Sequence, residues 1–213
     1  MILGIIRVMV VIFFWYWLWR NLRENYTEKA VVIFGWTSLV SFVVGSRLAY
    51  GLLNWGKWET AEQWWQIMAN PGMIYEGGLA AVFLLIWWMS KVNNWKMWAF
   101  LEDVTAMFYA LMTILIFNEW WWNREVKTLL VGLTMLFGFA LATFFKGNYR
   151  AYSWYRSGKK GFIFGMCGII VFLLLAAEAV LFRAGLGTII FYLIMGLISG
   201  VQLVILGEVW KRN

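Results

Sequence analysis

Seven stretches of mainly apolar residues follow one another with short polar breaks, at about 1–19, 30–53, 72–90, 98–117, 128–145, 161–182 and 186–206. Each approaches the roughly 20 residues that a helix needs to cross the hydrocarbon of a bilayer. No water is available there to bond the backbone, so a spanning segment must satisfy its own amides, as a helix does. The hydrophobicity is continuous rather than alternating, which selects helix over strand. The expected fold is an all-α integral membrane protein, a seven-transmembrane-helix bundle forming one domain over 1–213. Composition agrees: 63% of the residues are hydrophobic and 14% charged, against roughly 45–50% and 25% in soluble domains. The first stretch has the length of a signal peptide, but it lacks a small-residue cleavage site and runs into Trp15, Tyr16, Trp17, Leu18 and Trp19, so it reads as a retained span.

The distribution of basic residues orients the bundle. With the N-terminus outside, twelve of them fall on the inner side: Arg20, Arg23, Lys29, Lys91, Lys96, Lys146, Arg150, Arg156, Lys159, Lys160, Lys211 and Arg212. Only Lys57, Arg124, Lys127 and Arg183 fall outside, and Arg7 and Arg47 lie within spans. Positive charge is retained on the inner side, so the expected topology is N-out and C-in. Tryptophans cluster at span ends, as at Trp87 and Trp88 or Trp120 to Trp122, where an indole rests best among headgroups. The longest outer segment, Asn54 to Pro71, carries Trp55, Trp58, Trp64 and Trp65 and reads as a short interfacial helix after the second span.

Several chemistries are removed at once. There is no histidine, which excludes serine–histidine hydrolysis and the usual zinc sites. The lone Cys167 sits mid-span and reads as a structural thiol. No Gly-rich phosphate loop is present, and no cofactor is expected. The spacings Gly161-x-x-x-Gly165 and Gly196-x-x-x-Gly200 predict close helix approach within the bundle.

What remains are charges where a bilayer makes charge expensive. Arg47 lies near the outer end of the second span with Tyr50 one turn later, and a guanidinium there can hold a lipid phosphate bidentately; snorkelling or an ion pair is the plainer explanation. Glu76 opens the third span beside Gly77 and Gly78, where helix amides face the same leaflet. It suits proton transfer, or ordinary capping of a first turn. Glu102 and Asp103 enter the fourth span, where Lys96 or Arg156 is the expected partner, and Glu178 lies within the sixth. The loop Lys146 to Lys160 holds five basic residues among Tyr149, Tyr152, Trp154 and Tyr155; its inner location argues for orientation and anionic headgroups rather than nucleic acid.

Gly45-Ser46-Arg47-Leu48-Ala49-Tyr50, Glu76-Gly77-Gly78-Leu79 and Asp103-Val104-Thr105-Ala106 occur in that order. They resemble the Gly-Ala/Gly-Arg-x-x-Tyr, His-Gly-Gly-Leu and Asp-x-x-Ala-Pro motifs of bacterial prolipoprotein diacylglyceryl transferases. The resemblance covers roughly the first half of the chain. It implies seven spans in the bacterial inner (cytoplasmic) membrane, phosphatidylglycerol as the lipid and a lipoprotein precursor as acceptor. It also makes Glu76 the candidate catalytic residue, with Arg47, Tyr50, Gly77 and Gly78 lining a lipid cavity. Counted on from Asp103, the family signature leaves Asn123 and Glu125 in register, and Glu178 marks the sixth span. Phe117 and Leu174 or Leu175 stand where the family keeps arginines, and Glu76 stands for its histidine. Arg124 is the only nearby arginine that could replace the lost guanidinium. The expected function is therefore a divergent relative that binds or handles glycerophospholipid in an outer-leaflet cavity. The alternatives are an active transferase with a rearranged site, or a membrane scaffold subunit docking a partner through the Trp-rich segment.

Overall fold

The computed structural model describes residues 2–54, 74–148, 155 and 159–207, with the side chains of 2–8 and 122–123 outside that description. Among these residues the chain is all helical: α1 Ile2–Leu22, α2 Glu28–Leu53, α3 Tyr75–Val92, α4 Met97–Asn123, α5 Val126–Asn148, α6 Phe162–Leu181 and α7 Leu186–Gly207. Five are long and apolar enough to cross a membrane: α2, α4 as far as Trp121, α5, α6 and α7. The helices continue beyond several of the apolar windows, most in α4, because the backbone goes on bonding itself where the side chains become polar. The Trp-rich stretch 55–71 and most of the basic loop lie outside the described residues.

Two compact units form. One comprises 1–21 and 98–213, the other 22–97.

In the larger unit the core follows a stripe on α6. Ile163, Cys167, Val171 and Leu175 recur every fourth residue and are all buried, so they share one face of the helix. Tyr109 of α4 and Met135, Ala142 and Phe145 of α5 complete that cluster. The adjacent face of α6 is small. A Cβ on Gly168 would lie 2.3 Å from Ser199 Oγ, and one on Gly165 2.6 Å from Gln202 Oε1, so α7 rests almost on the α6 backbone. The close approach thus uses Gly161, where a Cβ would lie 2.6 Å from Leu206 Cδ1, together with Gly165 and Gly168. Gly196 and Gly200 are not at this contact: their nearest neighbours, Phe172 and Ile169, would be 3.7 Å from a Cβ, and both glycines line an apolar groove of about 770 Å³. Outward, Leu193, Leu197, Val201 and Ile205 of α7 are exposed, an apolar surface that suits lipid and not water.

The smaller unit is the α2–α3 hairpin. Gly45 and Gly77 oppose one another: a Cβ on Gly45 would stand 2.6 Å from Gly77 O, and a Cβ on Gly77 2.6 Å from Gly45 O and 2.3 Å from Ala49 Cβ. Gly78 is as tight, with Ser46 Oγ at 2.3 Å from the equivalent position. The three glycines let two backbones touch, which is how helices associate in lipid where hydrophobicity gives no preference between helix and bilayer. At the other end of the hairpin Tyr26 meets Trp95 edge-on, with ring centroids 5.0 Å apart.

Gly77→Leu should therefore destabilise the hairpin by about 1–3 kcal/mol or more, as overpacking does. Gly147→Ala, with open space around it, should be neutral or slightly stabilising by helix propensity. Thermal unfolding of both variants in detergent micelles checks the pair; equal midpoints would mean that the glycine contact carries no stability.

Candidate functional site

In the smaller unit, Arg47 sits in the last two turns of α2 and Glu76 in the first turn of α3. The helices are antiparallel neighbours through Gly45 and Gly77, so both residues belong to the end of the hairpin where α2 stops and α3 starts. There Ile74 N–H donates to Ser46 O at 3.2 Å, tying the start of α3 to the backbone of α2 beside Arg47. Arg47 is 3% exposed and its guanidinium lies over the Tyr50 ring, 5.5 Å from the centroid. That is within the range of a cation–π contact. Glu76 is half-buried. The N-terminal end of α3 favours an anion, so Glu76 in its first turn sits at the helix end that suits it. Arg47, Tyr50, Glu76, Gly77 and Gly78 are thus brought into one unit, and the two glycines form the helix contact itself.

The remaining sequence candidates lie in the larger unit. Asn123 is the last residue of α4 and Glu125 precedes α5. Glu125 accepts the Thr128 hydroxyl at 3.4 Å, which closes the first turn of α5. Arg124, between them, folds back over its own helix, with the guanidinium 5.2 Å from the Trp120 ring and 4.3 Å from the Trp121 ring. Glu178 lies one turn from the end of α6 and accepts the Thr134 hydroxyl of α5 at 2.5 Å. Its other oxygen is buried and has no partner among the described residues. Of the positions where the resembled family has arginine, Phe117 packs against Gly132, Leu175 is buried in the core and Leu174 is partly exposed.

Glu102 and Asp103 each have a partner that the sequence did not suggest; Arg156, one of the two expected partners, lies outside the described residues. Asp103 pairs with Lys160 at 3.3 Å. Glu102, 8% exposed, accepts the backbone N–H groups of Gly161 at 2.5 Å and Ile163 at 3.1 Å. A carboxylate of α4 therefore caps the start of α6, where the free amides and the helix dipole favour an anion. Gly161 adopts φ 119°, a left-handed geometry open to glycine, and its carbonyl accepts Gln202 Nε2 from α7 at 2.8 Å. Thr134, Gln202 and the capping role of Glu102 were not singled out in the sequence. A threonine or glutamine in a span is ordinary in composition, and its partner lies tens of residues away. The one local sign was a polar side chain interrupting an apolar helix.

Replacing Glu102 by Ala should cost about 2–3 kcal/mol, because two buried amides lose a charged acceptor. Asp103→Asn breaks a part-exposed ion pair and should cost less than about 1 kcal/mol. Chemical unfolding in micelles distinguishes them, and equal losses would refute the assignment of the cap to Glu102.

Comparison of the chain with models of known protein families, with curated proteins and with solved structures finds no match.

Proposed function

We propose that this multi-pass membrane protein handles a glycerophospholipid at the Arg47 end of the α2–α3 hairpin, in the outer leaflet, with all seven helices spanning, the N-terminus outside and the C-terminus inside. The supporting observation is the position of Arg47. It is a charge near the end of an apolar helix, where charge is costly and marks sites, and its planar fork matches a phosphate oxygen pair as well as partners within the chain. Tyr50 backs the guanidinium, and the first turn of α3 brings amides and Glu76 to the same end of the hairpin. The order of the motifs around Arg47, Glu76 and Asp103 supports descent from the diacylglyceryl transferases. The leucines and phenylalanine at the arginine positions support binding over transfer.

Protein purified from membranes rich in phosphatidylglycerol should carry that lipid. Arg47→Ala should lower its retention by about tenfold, the loss expected of a charge-assisted bidentate contact. Arg47→Lys should retain part of it. Native mass spectrometry reads the bound lipid, and undiminished retention in a folded Arg47→Ala protein would overturn the reading.

Transfer of diacylglyceryl to a lipobox peptide should be absent or slow, because each preorganised charge donor lost costs ~2.7–4 kcal/mol in the transition state. Turnover within about tenfold of an authentic family enzyme, abolished by Glu76→Gln, would instead establish an active transferase with a rearranged site.

For the topology, a cysteine introduced at Ser157 should resist membrane-impermeant reagents in intact cells and react once the membrane is opened. Reaction in intact cells would reverse the orientation.

A further inference from the structure

The turn between α4 and α5 contains two residues, Arg124 and Glu125. Arg124 has φ 54°, and its N–H donates to Trp120 O at 2.8 Å. This is a left-handed helix C-cap, the position glycine fills most easily. A Cβ there is strained, and arginine has no short side chain to bond the local backbone in return. Chain reversal alone would thus favour glycine.

What arginine adds is its head group. The guanidinium lies over two indoles, Trp120 and Trp121. Trp120 is itself positioned: Phe117 meets it edge-on at 6.5 Å, and Phe117 lies on Gly132 of α5, where a Cβ would come within 3.3 Å of the ring. The sequence Gly132, Phe117, Trp120 therefore fixes the platform on which the guanidinium rests. A guanidinium held by ring contacts does not spend its N–H donors on them. No hydrogen bond or ion pair occupies those donors among the described residues. Glu125 is turned to Thr128, and Lys127 is exposed one residue into α5. An arginine at a position that strains it, preoriented on two rings and with its donors unspent, is a backbone outlier that points to function.

We propose that Arg124, held on Trp120 and Trp121, binds a phosphate group at the α4–α5 turn, where the exposed Lys127 adds positive charge three residues on. Indoles sit at headgroup depth, so the phosphate of an anionic lipid and free phosphate share the chemistry this site takes. The site belongs to the larger unit and does not rest on Arg47.

The strain provides a test that spares the fold. Arg124→Gly suits φ 54° and should leave the unfolding temperature unchanged or raised, while removing the guanidinium. Full-length protein in detergent micelles is titrated with phosphatidylglycerol, then with phosphatidylcholine, and read by native mass spectrometry. Arg124→Gly should weaken phosphatidylglycerol binding by about tenfold, and Arg124→Lys should restore only part, lacking the bidentate fork. The same loss should appear on top of Arg47→Ala, so failure of one site is separable from failure of the other. Inorganic phosphate as competitor identifies the source: displacement of the lipid assigns the site to free phosphate, and lipid that stays bound assigns it to a headgroup. Arg124→Gly protein that binds phosphatidylglycerol as tightly as the parent chain would overturn the proposal, as would full recovery by Arg124→Lys.

Discussion

In a bilayer a helix end without water must find its partners within the chain, and the start of α6 finds them in the side chain of Glu102. One carboxylate takes two amides, Gly161 and Ile163, and so joins α4 to α6. Gln202 takes the Gly161 carbonyl and adds α7. Three helices meet at one peptide whose left-handed φ admits glycine. The apolar stripe from Ile163 to Leu175 then descends from this junction, and its register against α5 and α7 follows from it. Lys160 and Asp103 lie at the outside of the same junction, where their ion pair shares solvent and adds little.

Small residues supply the second element of the architecture. At α6–α7 and at α2–α3 the backbones come close enough that a methyl group would collide. Such contacts gain dispersion and weak Cα–H to oxygen bonds, which count where lipid offers nothing better. They also explain why Ser46 and Ser199, both fully buried, face glycine rather than bulk. The two units use the same device with different partners, Gly45 against Gly77 in one and Gly168 against Ser199 in the other.

The helices were legible because the bilayer writes length and hydrophobicity into every window; α2, α6 and α7 lie within a few residues of their sequence limits. Less legible was the purpose of a given small or polar residue. Gly196 and Gly200 have the spacing of a tight helix contact, yet they line a groove, because the angular position of Gly165 and Gly168 on α6 decides which face of α7 comes close. Glu102 next to Asp103 gave no hint that one carboxylate bonds backbone and the other a lysine. Those partners lie 59 and 57 residues on, beyond any local pattern. Arg47 and Glu76 could be placed at the same end of a hairpin from the order of spans alone. The indole platform beneath Arg124 could not, since it depends on a left-handed turn that no residue type in that turn announces.

The separation between Glu102 and its cap has a consequence for biogenesis. Chains lengthen at about 5–20 residues per second, so Gly161 emerges roughly 3–12 s after Glu102. During that interval α4 carries an ionisable carboxyl in a span whose acceptor-hungry amides have not yet been made. The two-residue turn to α5 fits insertion of α4 and α5 together as a hairpin, with Glu102 kept near the headgroups at its own end of α4 until α6 arrives. Membrane entry of the fourth helix is thus completed by the sixth, and a chain truncated before Gly161 would leave α4 with a lasting reason to slip back toward water.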